Sequence, residues 1–207
     1  MAITQAHSRM VSDVDAGSTY LQGTLGTAAN NVVQLNGSSQ LPAVDGSLLT
    51  NMSAGGKVLQ TQHTVVTAAT FTTGSTSWTD LTGMTVSITP ATTGSKILLT
   101  VNFNFDTSAT TNFAAFKALR DSTDLSVGDA AGSRYQCALW GASYSNQATV
   151  NKSMTWLDSP STTSATVYKL QVRMDGGTFY FNRTNTDTDN TSFPRTISTI
   201  TATEIGA

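Results

Sequence analysis

The amino-acid sequence predicts an all-β protein, and three observations support that prediction. The acidic residues are almost all aspartate, with Glu204 the single glutamate, and lysine is scarce as well. Glutamate and lysine are strong surface helix formers, whereas the abundant Thr, Val and Ile favour strands. Short segments of alternating apolar residues recur over residues 57–207, separated by Gly, Asp, Asn, Ser and Pro. This pattern is typical of a β-sandwich or barrel.

Residues 57–207 contain a series of predicted strands. Lys96–Asp106 is a long one and places Val101, Phe103 and Phe105 on one face, because side chains alternate along a strand. The others are Lys57–Thr67, Thr85–Thr89, Phe113–Leu119, Arg134–Trp140, Thr149–Leu157, Ala165–Arg173, Thr178–Asn182 and Arg195–Ile205. We expect eight to ten strands in this part of the chain.

Turn signals predict how some of these strands connect. The residues Asp175, Gly176 and Gly177 predict a hairpin between the strands on either side of them, and residues 91–95 predict a hairpin-like turn. The chain ends in a predicted strand, which we expect to lie inside a sheet rather than at its edge.

Residues 1–56 differ in character from the rest of the chain. From Gly17 to Gly56 the sequence is rich in glycine, and its apolar groups are too brief and isolated to close a core within one chain. Two kinds of contact could order such a segment. It packs either against identical copies of itself, with the apolar groups of three chains meeting on an axis, or against a larger assembly. Both alternatives make the protein an oligomeric one that acts by binding.

A resemblance to known proteins begins within this segment. Residues Asn30–Asn51 read NNVVQLNGSSQLPAVDGSLLTN, which resembles in order and spacing a segment common in bacteriophage tail-fibre and head-fibre proteins. Residues 57–207 resemble the C1q/TNF-like jelly-roll heads of phage fibres, through strands that include Ser95–Val101 and Ile200–Ile205. Together the resemblances cover most of the chain. They imply a homotrimer with its threefold axis along the fibre.

The expected organisation has three parts. Residues 1–20 form a virion-anchoring segment, residues 21–56 an extended and mostly irregular trimeric stalk, and residues 57–207 a jelly-roll β-sandwich head. The candidate anchoring residues are Ile3, Arg9, Met10, Val11, Tyr20 and Leu21. The candidate contacts between the chains of the stalk are Val32, Val33, Leu35, Leu41, Val44, Leu48 and Leu49.

Charge and composition argue against several classes of partner. The formal net charge is -2 and lysine and arginine do not cluster, so we expect no nucleic acid, because phosphate binding requires clustered positive charge. No stretch approaches the ~20 apolar residues of a membrane span, and the N-terminus lacks the pattern of a signal peptide. The single cysteine, Cys137, is expected to be a buried, inert thiol. We expect the protein to assemble in the host cytoplasm and to reside in the virion.

The sequence does not predict a catalytic site. Only two histidines are present, and His63 falls within the first predicted strand, where we expect a surface or interface side chain. Cleavage of glycans requires two carboxylates across a cleft. Aspartates such as Asp121 and Asp175 fall instead at turns, where their side chains bond to nearby backbone amides. We therefore expect no enzymatic activity and no cofactor.

The loop after the predicted strand Thr178–Asn182 raises the question of a cation. Asn185, Asp187 and Asp189 offer oxygen ligands at alternating positions, a spacing that lets one loop wrap a calcium ion. The loop lacks the glycine and the terminal glutamate of an EF-hand. We predict a solvated loop tip without metal, and a calcium site is the alternative.

The aromatic residues supply the candidate receptor contacts. Trp78, Trp140 and Trp156 lie in or beside predicted strands, and we expect them in the core or in a trimer interface. Exposed aromatic rings, however, stack on sugars and anchor protein interfaces. The candidate contacts to a host glycan or protein are Tyr135, Trp140, Tyr144, Asp187 and Asp189.

Two functions follow from these expectations. The first is a tail-associated fibre, bound to baseplate or tail proteins, whose head contacts the host surface. The second is a capsid-decorating head fibre or cement protein that binds and stabilises the major capsid protein through residues 1–55. A glycan-degrading enzyme is a third, disfavoured function, because no acid pair or histidine-based site stands out.

Overall fold

A computed structural model describes residues 56–145 and 148–207, which fold into two antiparallel β-sheets packed face to face. The strands are β1 Val58–Val66, β2 Thr72–Thr73, β3 Thr79–Ile88, β4 Lys96–Thr107, β5 Ala114–Arg120, β6 Thr123–Asp124, β7 Leu139–Gly141, β8 Val150–Asp158, β9 Thr166–Met174, β10 Phe179–Phe181 and β11 Ser198–Ile205. No helix in these ranges is long and apolar enough to cross a membrane. The all-β prediction is confirmed for this part of the chain.

The predictions for the anchoring segment and the stalk concern residues that lie outside the described ranges. They comprise the candidate anchoring residues Ile3, Arg9, Met10, Val11, Tyr20 and Leu21 and the candidate stalk contacts Val32, Val33, Leu35, Leu41, Val44, Leu48 and Leu49. These assignments remain predictions.

The first sheet is built around β4. β11 pairs with β4 from Lys96 to Asn102, and β10 continues along the same edge from Phe105 to Thr107. β8 pairs with the other edge, from Ile97 to Phe105. β1 completes the sheet beyond β11, and β2 pairs with β10. The C-terminal strand therefore lies between two others, which confirms that it is inside a sheet.

The second sheet has the order β3, β9, β5. The remaining edge of β5 carries two short strands, with β7 opposite Ala114–Phe116 and β6 opposite Leu119–Arg120. The segment between β6 and β7, residues 125–138, leaves this edge and returns to it. It supplies part of the surface described below.

Six predicted strands agree with the structure to within one or two residues. They are Lys57–Thr67, Lys96–Asp106, Phe113–Leu119, Thr149–Leu157, Ala165–Arg173 and Thr178–Asn182. Arg195–Ile205 was predicted too long, because the last strand begins at Ser198. The predicted Thr85–Thr89 is only the end of β3, which begins at Thr79. A register shift between Asp80 and Thr85 interrupts the alternation there and hides the first half of the strand.

The predicted strand Arg134–Trp140 is mostly wrong. Only Leu139 and Trp140 belong to a strand, β7, and residues 134–138 form a loop. The edge of β5 is occupied by β6 at one end and by β7 at the other. Residues 134–138 therefore have no strand with which to pair. The two-residue strands β2 and β6 were not predicted, because two residues are too few to show alternation.

The predicted hairpins are wrong, although both turns exist. β3 and β9 belong to the second sheet, whereas β4 and β10 belong to the first. The turns at residues 91–95 and 175–177 therefore carry the chain from one sheet to the other. Gly177 has a φ of +67°, which explains the glycine at that turn. A turn signal shows where the chain reverses and leaves open which strands pair.

The core between the sheets is dominated by phenylalanine rings. Those fully buried are Phe103, Phe105, Phe116, Phe179 and Phe181, and each has a neighbouring ring centroid within 6.5 Å. Phe103 and Phe105 come from β4 and Phe116 comes from β5, so this cluster joins the two sheets. The prediction that Phe103 and Phe105 share a buried face with Val101 is confirmed.

The single glutamate is a buried structural residue. The carboxylate of Glu204, which is fully buried in β11, accepts hydrogen bonds of 2.7 Å from Gln60 Nε2 and from the Ala91 amide. Burial tends to raise the pKa of this carboxyl, but the hydrogen bonds from Ser95, Gln60 and Ala91 outweigh burial and lower it. Glu204 thus joins β1 and the turn between β3 and β4 to the C-terminal strand.

Glu204 is expected to make the stability of the fold depend on pH. Its pKa is lower in the folded protein, so its contribution is present above the usual value of 4.5 and is lost as the pH falls through the folded pKa. Glu204→Gln should lower the unfolding free energy at pH 7 by about 1–3 kcal/mol. That difference should shrink on acidification, and urea denaturation from pH 7 to pH 3 measures it. Asp129→Asn, in an exposed loop, is the control and should follow the wild type. Parallel pH profiles for wild type and Glu204→Gln would contradict this role.

Candidate binding surface

The outward face of the second sheet carries a row of large side chains. Arg173 lies on this face because β9 buries the alternate positions. Arg173 pairs with Ala115 on β5, and Ala115 pairs in turn with Trp140 on β7. The small side chain of Ala115 leaves space between these two larger neighbours. Trp78 lies on the other side of Arg173. It directly precedes Thr79, the first residue of β3, which pairs with Val172, the residue before Arg173.

These side chains form a stack that we call the aromatic ladder. Its members are Phe113, Trp140, Tyr135, Arg173, Trp78 and Lys117. The rings of Phe113 and Trp140 are stacked, with centroids 5.4 Å apart and an interplanar angle of 10°. The ring of Tyr135 follows, with its centroid 5.7 Å from that of Trp140.

Two cations continue the ladder. The guanidinium carbon of Arg173 lies 3.8 Å from the centroid of the Tyr135 ring and 5.9 Å from that of Trp78. The ammonium nitrogen of Lys117 lies 4.7 Å from the Trp78 centroid. Positive charge is attracted to the negative face of an aromatic ring, so these contacts fix the relative positions of rings and cations.

Tyr135 reaches the ladder because its loop is bonded to β5 at both ends. Ser126 Oγ accepts a 3.1 Å hydrogen bond from the Ala118 amide, and the Ala138 amide donates a 2.8 Å bond to the Phe116 carbonyl. These bonds hold the base of the loop against the edge of the sheet. The tip of the loop then lies over the outward face.

Two of the three cationic side chains on the outward face of β5 and β9 are paired with carboxylates. Lys117 forms an ion pair with Asp124 at 2.7 Å, and Lys169 forms one with Asp80 at 2.8 Å. The hydrogen bond from Lys169, followed by that from Gln171, lowers the pKa of Asp80. Arg173 has no carboxylate partner among the described residues, and its buried Nε has no hydrogen-bond partner there.

The structure brings together only part of the predicted receptor surface. Tyr135 and Trp140 are neighbours in the ladder, and they are 43% and 40% exposed. Tyr144 is 85% exposed, and no ring contact joins it to the ladder within the described ranges. Asp187 and Asp189 lie on the loop between β10 and β11, and Asp189 is exposed. Tyr135 and Trp140 are therefore the two candidate contacts that the structure places side by side.

The loop between β10 and β11 contains an ion pair between Asp187 and Arg195. The carboxylate of Asp187 accepts bonds of 2.8 and 3.1 Å from Arg195 and lies 3.9 Å from Arg183. The hydrogen bonds from Arg195 lower the pKa of Asp187 despite some burial. No group of three or more His, Cys, Asp or Glu side chains that could hold a metal ion occurs in residues 56–145 and 148–207. Arg195 therefore bonds to one of the three oxygen-bearing side chains that the calcium alternative uses.

The tryptophans were predicted in the core or in a trimer interface, and the structure excludes the core. Trp140 and Trp156 are each 40% exposed, Trp78 is partly buried, and none belongs to the buried core. Trp78 and Arg173 were missed as site residues. Their alternation marks them as outward-facing, but only the register of β3 against β9 places them side by side.

Trp156 lines a groove at the open edge of the first sheet. The groove has a volume of about 320 Å³ and is lined by Ser126, Val127, Gly128, Cys137, Ala138, Met154, Thr155 and Trp156. Cys137 is half-buried here, so the prediction of a buried thiol is wrong in degree. Burial raises the pKa of the Cys137 thiol, which keeps it protonated near neutral pH and slow to react.

A second cluster of titratable side chains, Tyr168, Asp158 and Arg120, lies between the two sheets. The Tyr168 hydroxyl donates a 2.7 Å hydrogen bond to Asp158, whose carboxylate also accepts bonds of 2.8 and 3.0 Å from Arg120. Burial, and then the bond to Asp158, raises the pKa of Tyr168. Tyr168 is fully buried and Asp158 is 7% exposed, so this network joins the two sheets and leaves no room for a substrate.

His63 is exposed on β1, as predicted for a surface residue. Its Nδ1 lies 2.7 Å from the Thr201 hydroxyl on the neighbouring strand. A histidine bonded across a sheet to a threonine has no acidic orienting partner of the kind that a catalytic triad uses.

The chain matches no protein-family model and no curated protein.

The aromatic ladder is expected to hold the loop of residues 125–138 closed. A cation–π contact contributes about 0.5–2 kcal/mol, so Tyr135→Ala should increase the open population of the loop roughly 2- to 30-fold. Cys137 near the base of the loop is the only cysteine and reports on opening. The measurement is its rate of labelling by a thiol reagent. Tyr144→Ala removes an equally large ring outside the ladder and should label at the wild-type rate. Equal rates for the two variants would show that the ladder does not hold the loop.

Proposed function

We propose that this protein is a structural subunit of a bacteriophage particle, a homotrimeric fibre whose β-sandwich head contacts the host surface. The observation that carries the proposal is the difference between the two outward faces of the sandwich. The middle of one face, along Leu98–Asn102 of β4, is uncharged and suited to packing against copies of the chain. The other presents the aromatic ladder and is suited to recognition.

This uncharged region belongs to the first sheet, and we call it the neutral face. Lys96, which is exposed on the same side of β4, lies at its end. Its residues lie in cross-strand rows on β1, β11, β4 and β8. They are Thr61, His63, Val65, Leu98, Thr100, Asn102, Ser153, Thr155, Leu157, Thr199, Thr201 and Thr203. None of these is Asp, Glu, Lys or Arg. The centres of protein interfaces are depleted in charge, because buried charges are costly to desolvate.

Two members of the neutral face are large exposed apolar side chains. Val65 is 50% exposed and Leu157 is 49% exposed. They lie near opposite ends of the face, with threonine, serine and asparagine between them. Burial of the apolar side chains of such a surface is favourable. Its hydroxyl and amide groups can still form hydrogen bonds across an interface. This favours association of the head with identical heads.

The strand order supports the jelly-roll assignment that the resemblance implies. From β3 onward, β3, β5, β6, β7 and β9 belong to the second sheet, and β4, β8, β10 and β11 belong to the first. The chain therefore crosses repeatedly from one sheet to the other. Jelly rolls consist of two such interleaved sheets. In a trimer of jelly-roll heads, the neutral face of each copy packs towards its neighbours and the aromatic ladder stays on the outside.

The trimer is tested by placing a charge in the middle of the neutral face. Wild-type protein should sediment at three times the monomer mass. Thr100→Asp introduces a carboxylate on the central strand β4 and should shift the protein towards monomer, because that charge would be buried in the interface. Ser87→Asp, exposed on the second sheet, is the matched control and should remain trimeric. A monomeric wild type, or a fully trimeric Thr100→Asp variant, contradicts the arrangement.

The location of the subunit is tested by labelling. A C-terminal tag on the protein, decorated with gold on intact particles, should be seen by electron microscopy at the tail tip or baseplate. Label spread over the capsid would instead indicate a capsid-decorating fibre or cement protein. Particles without label would contradict both versions of the proposal.

A further inference from the structure

Arg173 differs from the other partly buried arginines of the sandwich. Arg120 donates two hydrogen bonds to Asp158, and Arg183 Nε donates a 3.1 Å bond to the Ala69 carbonyl. Arg173 is also partly buried, yet its guanidinium donates no hydrogen bond and forms no ion pair within the described ranges. Of its five N–H donors, the one on Nε is buried without an acceptor, which opposes folding.

The aromatic ladder nevertheless holds this guanidinium in place. The ring of Tyr135 covers one side at 3.8 Å, and Trp78 lies at 5.9 Å. The N–H groups of a guanidinium lie in its own plane, so a ring against its face leaves them free to meet an acceptor from the side. The planar fork of donors matches the two oxygens of a carboxylate or phosphate. Arg173 therefore presents a positioned set of donors that has no carboxylate partner among the described residues.

The groups around Arg173 match a sugar. The exposed parts of the Trp140 and Tyr135 rings offer apolar contact to the C–H groups of a sugar ring. In the next cross-strand row, Gln171 lies between Asp80 and Lys117. One donor of the Gln171 amide bonds to Asp80 at 2.7 Å, and its carbonyl oxygen has no hydrogen bond among the described residues. This row lies about 7 Å along β9 and supplies polar groups for hydroxyls.

We infer that the aromatic ladder binds an acidic saccharide, with its oxyanion on the Arg173 guanidinium and its sugar ring against Trp140 and Tyr135. The anion accepts hydrogen bonds from the terminal N–H groups of Arg173. The oxyanion is a carboxylate, as in a uronic acid, or a phosphate on a sugar. The inference rests on the proposed function, because it names the class of host-surface molecule that the head contacts.

The test is isothermal titration calorimetry of the full-length protein with three saccharides that differ in their charged group. Galacturonic acid oligomers carry carboxylates, galactose 6-phosphate carries a phosphate, and galactose oligomers are neutral. At least one acidic probe should bind about tenfold more tightly than the neutral one, since a charge-assisted pair adds roughly that much. The tighter of the two acidic probes identifies the oxyanion. Equal binding of neutral and acidic probes, or no binding of either acidic probe at millimolar concentration, overturns the inference.

Arg173→Lys separates recognition from folding. Lysine keeps a cation over Tyr135 but lacks the planar fork, so the labelling rate of Cys137 should stay at the wild-type value. Affinity for the acidic probe should nevertheless fall several-fold, and affinity for the neutral probe should not change. Arg195→Gln, in an exposed position outside the ladder, should bind as the wild type does. Wild-type affinity in Arg173→Lys would overturn the role of Arg173.

These outcomes are distinguishable from failure of the proposed function. A trimeric, particle-borne protein that binds no acidic saccharide overturns only the inference. A monomer that is absent from particles but still binds the acidic probe through Arg173 overturns the proposed function and leaves the binding site in place.

Discussion

The period-two alternation of β4 is the constraint on which the rest of the sandwich depends. Its inward side chains, among them Phe103 and Phe105, are fully buried against the second sheet. Its outward side chains Thr100 and Asn102 are exposed and uncharged. Since β4 also pairs with β8, β10 and β11, a slip of one residue would expose the rings and bury the polar side chains at once. One strand therefore sets the core, the register of the first sheet and the composition of the neutral face.

The second sheet uses its outward face differently. Its positive charges are neutralised by carboxylates at Lys117 and Lys169, whereas Arg173 is held by rings alone. The proposed oxyanion would pair with this remaining cation. The loop that carries Tyr135 is bonded to β5 at both ends, so the ring contacts are formed in advance. Preorganisation of this kind reduces the entropy lost on binding.

The sequence predicted the fold better than the site, for physical reasons. Alternation is local, so β4, β8 and β9 were predicted to within one or two residues, and the buried face of β4 was correct. Pairing is not local, so the turn at residues 175–177 was mistaken for a hairpin when it connects the two sheets. The aromatic ladder was predicted only in part for the same reason. Tyr135 and Trp140 are close in sequence and were predicted together, whereas Trp78 and Arg173 become neighbours only through the register of β3 against β9.

Hydroxyl-radical footprinting of the assembled protein tests most directly whether the two faces of the head have different partners. Oxidation of each side chain is read by mass spectrometry at high protein concentration and after dilution below the association threshold. The account predicts that His63, Leu98 and Leu157 are protected on assembly, while Tyr135 and Trp140 are oxidised equally in both states. Protection of Tyr135 and Trp140, with His63 and Leu157 remaining reactive, would show that the faces had been assigned the wrong way round.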